Sequence, residues 1–192
     1  EDSNLKKLDN FLAINILKIE KILKNFVKDV YIILDDKEFL PIEISIKKDH
    51  NGNSISQENL INPLNVLKNL CQFSFKDKKI IHMLIENYQI DGKDYSFLPE
   101  NLKCNNFSLD IKFICLSKNL IEHYESVLKR YHILVNQILN AEYIEQFQDQ
   151  QNPNIYTTAS RIISGFNNNE ISLVNKTLKS KGFFEKFFDL FS

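Results

Sequence analysis

Apolar residues recur along the chain with two periods, and these periods predict its helices and strands. Near the start they return every three or four positions, which predicts a helix with one buried face. The residues of that face are Leu5, Leu8, Leu12, Ile16, Ile19, Leu23 and Phe26. Further on, Ile42, Ile44 and Ile46 alternate with polar residues, which predicts a strand over residues 41–47. The β-branched and aromatic segment 30–34 predicts another strand before it.

The middle of the chain predicts three more strands and their turns. The apolar segment 79–90 predicts a buried strand in which Tyr88 and Ile90 share a face, followed by a turn at Asp91-Gly92. Residues 109–116 and 133–139 predict the other two strands. An earlier turn is expected at Asn51-Gly52, and residues 95–107, broken by Pro99, are expected to form a loop.

Helices are predicted around these strands. Ser56 is expected to cap a helix by accepting a backbone N–H. Pro63 is expected to interrupt this helix, which then restarts with Asn62 as its cap and Pro63 at the first helical position. Later helices are predicted over 118–130, 141–147 and 156–166. The residues expected to face the core are Leu60, Leu64, Leu67 and Leu70 in the first helix, and Leu120, Ile121, Tyr124, Val127 and Leu128 in the second.

These elements predict an α+β fold, with a small mixed sheet and helices packed on it. The polar segment 146–154 lacks any period and is interpreted as a linker. We therefore expect a domain over residues 1–147, a linker and short helix over 148–170, and a tail over 171–192.

Composition excludes several classes of function. The 24 Lys plus Arg residues nearly match the 25 Asp plus Glu residues, so the basic excess of a nucleic-acid-binding protein is absent. No run of apolar residues is long enough to predict a membrane-spanning helix. The three cysteines lack metal or redox spacing and are interpreted as buried reduced thiols. His82 falls inside a predicted strand and is interpreted as structural, and no catalytic or metal-binding constellation is found.

The last residues of the chain carry the clearest functional pattern. Phenylalanines fall on one face of a helix predicted over 180–192, with Glu185, Lys186 and Asp189 on the other side. Such a helix suits a bilayer interface, with Lys181 meeting anionic lipid. The expected membrane-binding residues are Lys181, Phe183, Phe184, Phe187, Phe188, Leu190 and Phe191. The alternative is a terminal helix docked on the domain's own core.

Several short segments resemble one family of proteins. His82, Tyr88, Asp91 and Gly92 follow the pattern I-x-H-x-I-P-x-x-Y-x-x-D-G of the subdomain inserted in FtsA, the actin-like bacterial division protein, although Ile85 replaces the usual Pro. Segments 30–32, 56–60, 109–111 and 127–138 resemble other parts of the same subdomain in the same order. The pilus-assembly protein PilM has this type of subdomain too and remains an alternative.

The resemblance implies an FtsA-like peripheral membrane adaptor of the divisome, which links the FtsZ ring to the cytoplasmic membrane at the division site. It implies FtsZ or other division proteins as partners and suggests self-association. The phosphate-binding motifs D-x-G-x-[ST] and G-G-G-T-T are not found in the sequence, so we expect neither an ATP cofactor nor enzymatic activity. The alternative is an actin-like ATPase whose nucleotide-binding half lies outside this chain.

Overall fold

Two sheets of different kinds organise the chain. The computed structural model describes residues 3–99, 101–151 and 153–171. The elements are α1 Ser3–Leu23, β1 Asp29–Leu34, β2 Leu40–Ser54, α2 Glu58–Ser74, β3 Lys78–Ile90, β4 Lys93–Tyr95, β5 Lys103–Ser117, α3 Lys118–Lys129, β6 Leu134–Asn140, α4 Ala141–Glu145 and α5 Ile155–Ile163.

Strand direction separates the two sheets. Strands β2, β5, β3 and β4 lie side by side in that order, and every neighbouring pair is antiparallel. Strands β1 and β6 form a separate parallel pair. The α+β prediction, with a small sheet and helices packed on it, is confirmed. The parallel and antiparallel pairs, however, lie in two sheets and not in one mixed sheet.

The four-stranded sheet is covered differently along its length. Helix α2 packs on one face over most of the sheet, against alternate residues of β2, β3 and β5. On the other face, the described residues cover one end, where Ile81 and Leu116 pack against α3 and β6, and Leu84 and Ile114 pack against Tyr143 and Ile162. The burial of β5 reflects this change, because it alternates from Phe107 to Phe113 and is then continuous to Leu116.

Helix α2 corrects three of the predictions. It is continuous through Pro63, which lies in its second turn and is buried against the sheet, so the predicted restart at Asn62 is wrong. A proline this near the start removes few helix hydrogen bonds. Ser56 does not act as the N-cap, because its backbone N–H and its hydroxyl both donate to Asn59 Oδ1. Leu70 is 49% exposed, and Cys71 takes the core position instead.

Two loop predictions are also wrong. Residues 93–95 form β4, and β5 begins at Lys103, so much of the expected loop over 95–107 is strand. Asn51 and Gly52 have the positive φ angles that a turn needs, but β2 continues through them as an irregularity. Its pairing with β5 resumes at Asn53. A pairing partner outside the local segment therefore overrode the local turn signal.

Helix α1 ends earlier than its apolar pattern predicts. Lys24 adopts a left-handed φ of 53°, and the Asn25 N–H donates to the Glu20 carbonyl at 3.2 Å, as in a Schellman ending. Leu23 is 61% exposed, and Phe26, beyond the helix, is 75% exposed. Both were expected on the buried face, so this part of the prediction is wrong.

Other predictions are confirmed. Helix α3 buries the five residues expected to face the core, and β6 and α4 lie close to their predicted positions. Helix α5 ends at Ile163, so Phe166 lies beyond it and is half exposed. All three cysteines are buried and free. Burial raises the pKa of the Cys71 thiol, and it raises the pKa of the Cys115 thiol to about 12, so both stay protonated near neutral pH.

Candidate functional site

His82 lies in a buried polar cluster, and a β-bulge puts it there. Ile80 pairs with Cys115 and His82 pairs with Ile114, so Ile81 is an extra residue in β3. Ile80 packs on the α2 side of the sheet, whereas Ile81 packs on the α3 side. The bulge leaves His82 on that second side too, where its ring centroid lies 4.5 Å from that of Tyr143.

Both ring nitrogens of His82 have partners. Nδ1 lies 2.7 Å from Glu170 Oε1, and Nε2 lies 3.1 Å from the backbone nitrogen of Asn140. A backbone N–H can only donate, so Nε2 must accept and carries no proton. The proton is therefore on Nδ1 and is donated to the Glu170 carboxylate. This geometry assigns a neutral histidine beside a carboxylate.

Glu170 joins three further parts of the chain to this histidine. Its second oxygen accepts the Tyr143 hydroxyl at 2.7 Å, and the same hydroxyl accepts Asn167 Nδ2 at 2.9 Å. Burial, followed by the nearby Glu170 charge, raises the pKa of Tyr143 above its usual value. Asn140 completes the cluster by capping α4, with its side chain accepting the Tyr143 N–H at 2.7 Å.

This arrangement, which we call the His82 cluster (His82, Asn140, Tyr143, Asn167 and Glu170), joins elements distant in sequence. It ties β3 to β6, to α4 and to segment 167–171, which also bonds to the backbone of β3 at Met83 and Ile85. Its groups are occupied by each other, and throughout the described ranges no buried side-chain nitrogen or oxygen lacks a partner. The structural interpretation of His82 is confirmed.

Metal chemistry finds no support in the same region. In residues 3–99, 101–151 and 153–171, no group of three or more His, Cys, Asp or Glu side chains is placed to hold a metal ion. The sequence pattern did not predict that Glu170 and Tyr143 are partners of His82. A lone acidic residue after three asparagines carries no periodic signal, and it lies far from His82 along the chain.

The second candidate site is an exposed surface on α1. The inward residues Leu5, Leu8 and Leu12 pack against α3 and the parallel strands, yet several large apolar side chains point away from the protein. We call these residues the α1 surface. They are Phe11 at 53% exposed, Ile14 at 64%, Leu17 at 76%, Ile22 at 80%, Leu23 at 61% and Phe26 at 75%.

Charge on α1 is divided between its inner and outer sides. Both of its described acidic residues bind inward partners: Asp9 accepts the Tyr131 hydroxyl at 2.8 Å and pairs with Arg130 at 3.2 Å, while Glu20 accepts the Val27 N–H at 3.1 Å. The lysines at positions 18, 21 and 24 are exposed beside the apolar residues. The outer side therefore combines apolar area with positive charge.

The predicted membrane-binding residues, Lys181 and the phenylalanines after it, lie outside the described residues. No helix in the part that is described is long and apolar enough to cross a membrane. Comparison of the chain with protein-family models and with curated proteins finds no match.

Proposed function

We propose that this chain is a peripheral membrane adaptor of the bacterial division machinery, similar to FtsA, and that its sheet domain corresponds to the inserted FtsA subdomain. In support, the segments that carry the resemblance fall in β1, at the start of α2, in β3 and its following turn, and in β5. The proposed location is the cytoplasmic face of the membrane at the division site. FtsZ or other division proteins are the proposed partners.

The α1 surface is the main observation that supports membrane attachment in this proposal. Six large apolar side chains are more than half exposed on one helix and its end, and such a concentration of exposed apolar residues is typical of a surface that binds a membrane or a partner. Because Asp9 and Glu20 bind inward groups, exposed lysines dominate the charge beside this area. An apolar surface bordered by lysines matches the interface of an anionic bilayer.

The tail supplies a second contact in this proposal. Its five phenylalanines lie on one face of the predicted helix, and Lys181 precedes them. Two weak contacts on one chain bind a membrane more tightly than either alone, because the second is made at high local concentration. Glu185 and Asp189 offset part of the lysine charge, so apolar burial dominates and added salt has a modest effect.

Vesicle flotation tests the proposal. The full chain is mixed with vesicles of phosphatidylglycerol and phosphatidylcholine, or of phosphatidylcholine alone, and the floated fraction is measured. Wild type should float with the anionic vesicles. Phe184→Glu with Phe188→Glu, and separately Ile22→Glu with Phe26→Glu, should each lower the floated fraction at least about tenfold, because charge enters an apolar face.

A matched control uses two exposed phenylalanines elsewhere. Phe73 is 71% exposed and Phe97 is 68% exposed, so Phe73→Glu with Phe97→Glu makes the same chemical change at two other exposed positions. This variant should float like wild type, because neither phenylalanine belongs to the α1 surface or to the predicted tail helix. If wild type stays unbound, or if all variants float equally well, membrane attachment is wrong.

The proposed adaptor acts without hydrolysing nucleotide. Binding of ATP detected by calorimetry at micromolar protein would contradict this part and favour an actin-like ATPase. A pull-down with the immobilised chain tests the proposed partner. FtsZ should be recovered with this chain and not with an unrelated domain of equal size.

A further inference from the structure

Strand β2 leaves one edge of the four-stranded sheet open. Within the described ranges β5 is the strand that pairs with it, and this pairing runs without interruption from Leu40 to Asp49. The outer edge of β2 thus has a row of backbone N–H and C=O groups that no strand among the described residues pairs with. Such a row is a template for another strand.

The features that protect a sheet edge are confined in β2 to a proline and exposed charges along its regular part. Proteins protect edges with bulges, prolines, exposed charges such as lysine, or charges that point toward the core face. In β2 the irregularity begins only after Asp49, and the core-facing positions from Leu40 to Ile46 are all apolar and only half buried. Pro41 at one end and the exposed charges Glu43, Lys47 and Lys48 are features of a protected edge, so a strand that pairs here must carry charges that complement them. The segment 42–47 is therefore open to pairing with such a strand.

Pro41 also indicates which backbone groups point outward. It has no N–H to donate, and a proline is tolerated in an edge strand where its nitrogen faces away from the neighbouring strand. Positions of the same parity share this direction, so the backbone groups of Glu43, Ser45 and Lys47 face the open side. Their side chains are exposed on the sheet face opposite α2.

The order of side chains makes this edge complementary to itself. If two copies of β2 pair antiparallel with Ser45 opposite Ser45, Glu43 of each copy lies opposite Lys47 of the other. On the other face, Ile44 lies opposite Ile46. Opposite charges and apolar pairs directly across two strands are both favourable.

Other registers lose this match. Centring the pair on Glu43 or on Lys47 places like charges opposite each other at the axis, which is unfavourable. Centring it on Ile46 places Glu43 opposite Asp49, and centring it on Ile44 leaves Glu43 opposite Ser45. A two-fold axis through the Ser45 pair also keeps both copies of α2 on the same side of a continuous sheet.

We infer that the partner of this edge is a second copy of the same chain, and that two chains form a symmetric dimer by antiparallel β2 pairing centred on Ser45. Glu43 is available for this role. Its distance to Lys112 within the chain is 3.9 Å, its side chain is 69% exposed, and Lys112 lies closer to Glu86, at 3.5 Å. The inference goes beyond membrane attachment and involves different residues.

Charge reversal gives a test with an internal rescue. Glu43→Lys alone places lysines opposite each other, and Lys47→Glu alone places glutamates opposite each other. Each variant should weaken the dimer and raise its dissociation constant at least about tenfold. The double variant restores opposite charges, and so does an equal mixture of the two single variants, which should form a mixed dimer. Glu122→Lys, an exposed charge reversal on α3, is the control.

Sedimentation equilibrium of the full chain in lipid-free buffer, up to about 100 μM, measures each dissociation constant. Dimers of wild type, of the double variant and of the mixture, with weakened single variants, would support the inference. A monomer at every concentration would overturn it, as expected if another part of the chain covers the edge. A dimer that neither single variant weakens would also overturn it and would point to the α1 surface or the tail.

Discussion

Strands β3 and β2 belong to the same sheet, but they are held in very different ways. Strand β3 has β5 on one side, with β4 and segment 169–171 on the other, and six consecutive residues from Ile80 to Ile85 are buried. Among the described residues β2 pairs with β5 alone, and the residues of its inner row are only half buried. The comparison separates a strand that stabilises the fold from one that can bind a partner.

One row of side chains across the sheet shows the difference most directly. Ile85 of β3 pairs with Ile111 of β5, and Ile111 pairs with Ile44 of β2. Ile85 is 2% exposed and Ile111 is 1% exposed, whereas Ile44 is half buried. The three residues are chemically identical and adjacent, so position in the sheet alone sets how much apolar area each one removes from water.

The largest effect is expected from shortening the buried member of this row. Ile85→Ala should lower the free energy of unfolding by about 4 kcal/mol, because it removes buried methyl groups and leaves a cavity. Ile44→Ala should cost only about 1 kcal/mol. Urea unfolding at protein concentrations too low for dimerisation measures both. Equal losses would contradict the difference between the strands.

The next largest effect concerns the His82 cluster, which joins β3 to the rest of the fold. Glu170→Ala should cost about 3 kcal/mol, because it leaves the His82 Nδ1–H and the Tyr143 hydroxyl buried without their acceptor. Glu86→Ala, which removes an exposed glutamate of β3 that pairs with Lys112 of β5, should cost less than about 1 kcal/mol. Comparable losses measured by urea unfolding would show that the cluster does not stabilise the fold.

Alkaline pH provides a smaller test of burial in β3. Burial raises the pKa of Tyr88 to about 12, above the ordinary value near 10 expected for the unfolded chain. The folded state thus favours the neutral phenol of Tyr88. This preference contributes fully to the free energy of unfolding below about pH 10, and the contribution is lost as the pH rises toward about 12. Over this range the loss from Tyr88 should reach roughly 2 kcal/mol.

Comparison with a variant isolates this contribution. Tyr88→Phe cannot ionise there, so its unfolding free energy should fall less steeply with alkaline pH than that of wild type, while Tyr143 supplies part of the remaining slope. Tyr31→Phe, at an exposed position of β1, serves as the control for the substitution itself. Identical slopes for wild type and Tyr88→Phe would contradict the assignment.

The smallest effect is expected on the open strand. Glu43→Gln and Lys47→Gln should each change the stability of the monomer by less than about 0.5 kcal/mol, because both side chains are exposed. Thermal or urea unfolding of dilute protein checks this. A larger loss would show that these charges stabilise the folded monomer, and their effects on association would need correction for it.

Local pattern was sufficient for several parts of the fold. The five core residues of α3 follow directly from the helical period, and alternation located the centre of β2. The same reasoning failed at Pro63 and at Asn51-Gly52, since in both places packing or pairing with distant residues outweighed a local signal. The helical period predicts one buried face on α1, but Leu23 and Phe26 of that predicted face are exposed.

The sequence by itself determined that this chain folds with alternating strands and helices, that its thiols are buried, and that its charge is balanced. Only the tertiary structure decided which residues meet. The Ile81 bulge turns His82 toward Glu170, and the strand order leaves β2 with an open edge. Periodicity reports the surroundings of each residue within one element, whereas pairing between elements depends on contacts made across the whole chain, so these two features could not be derived from local pattern.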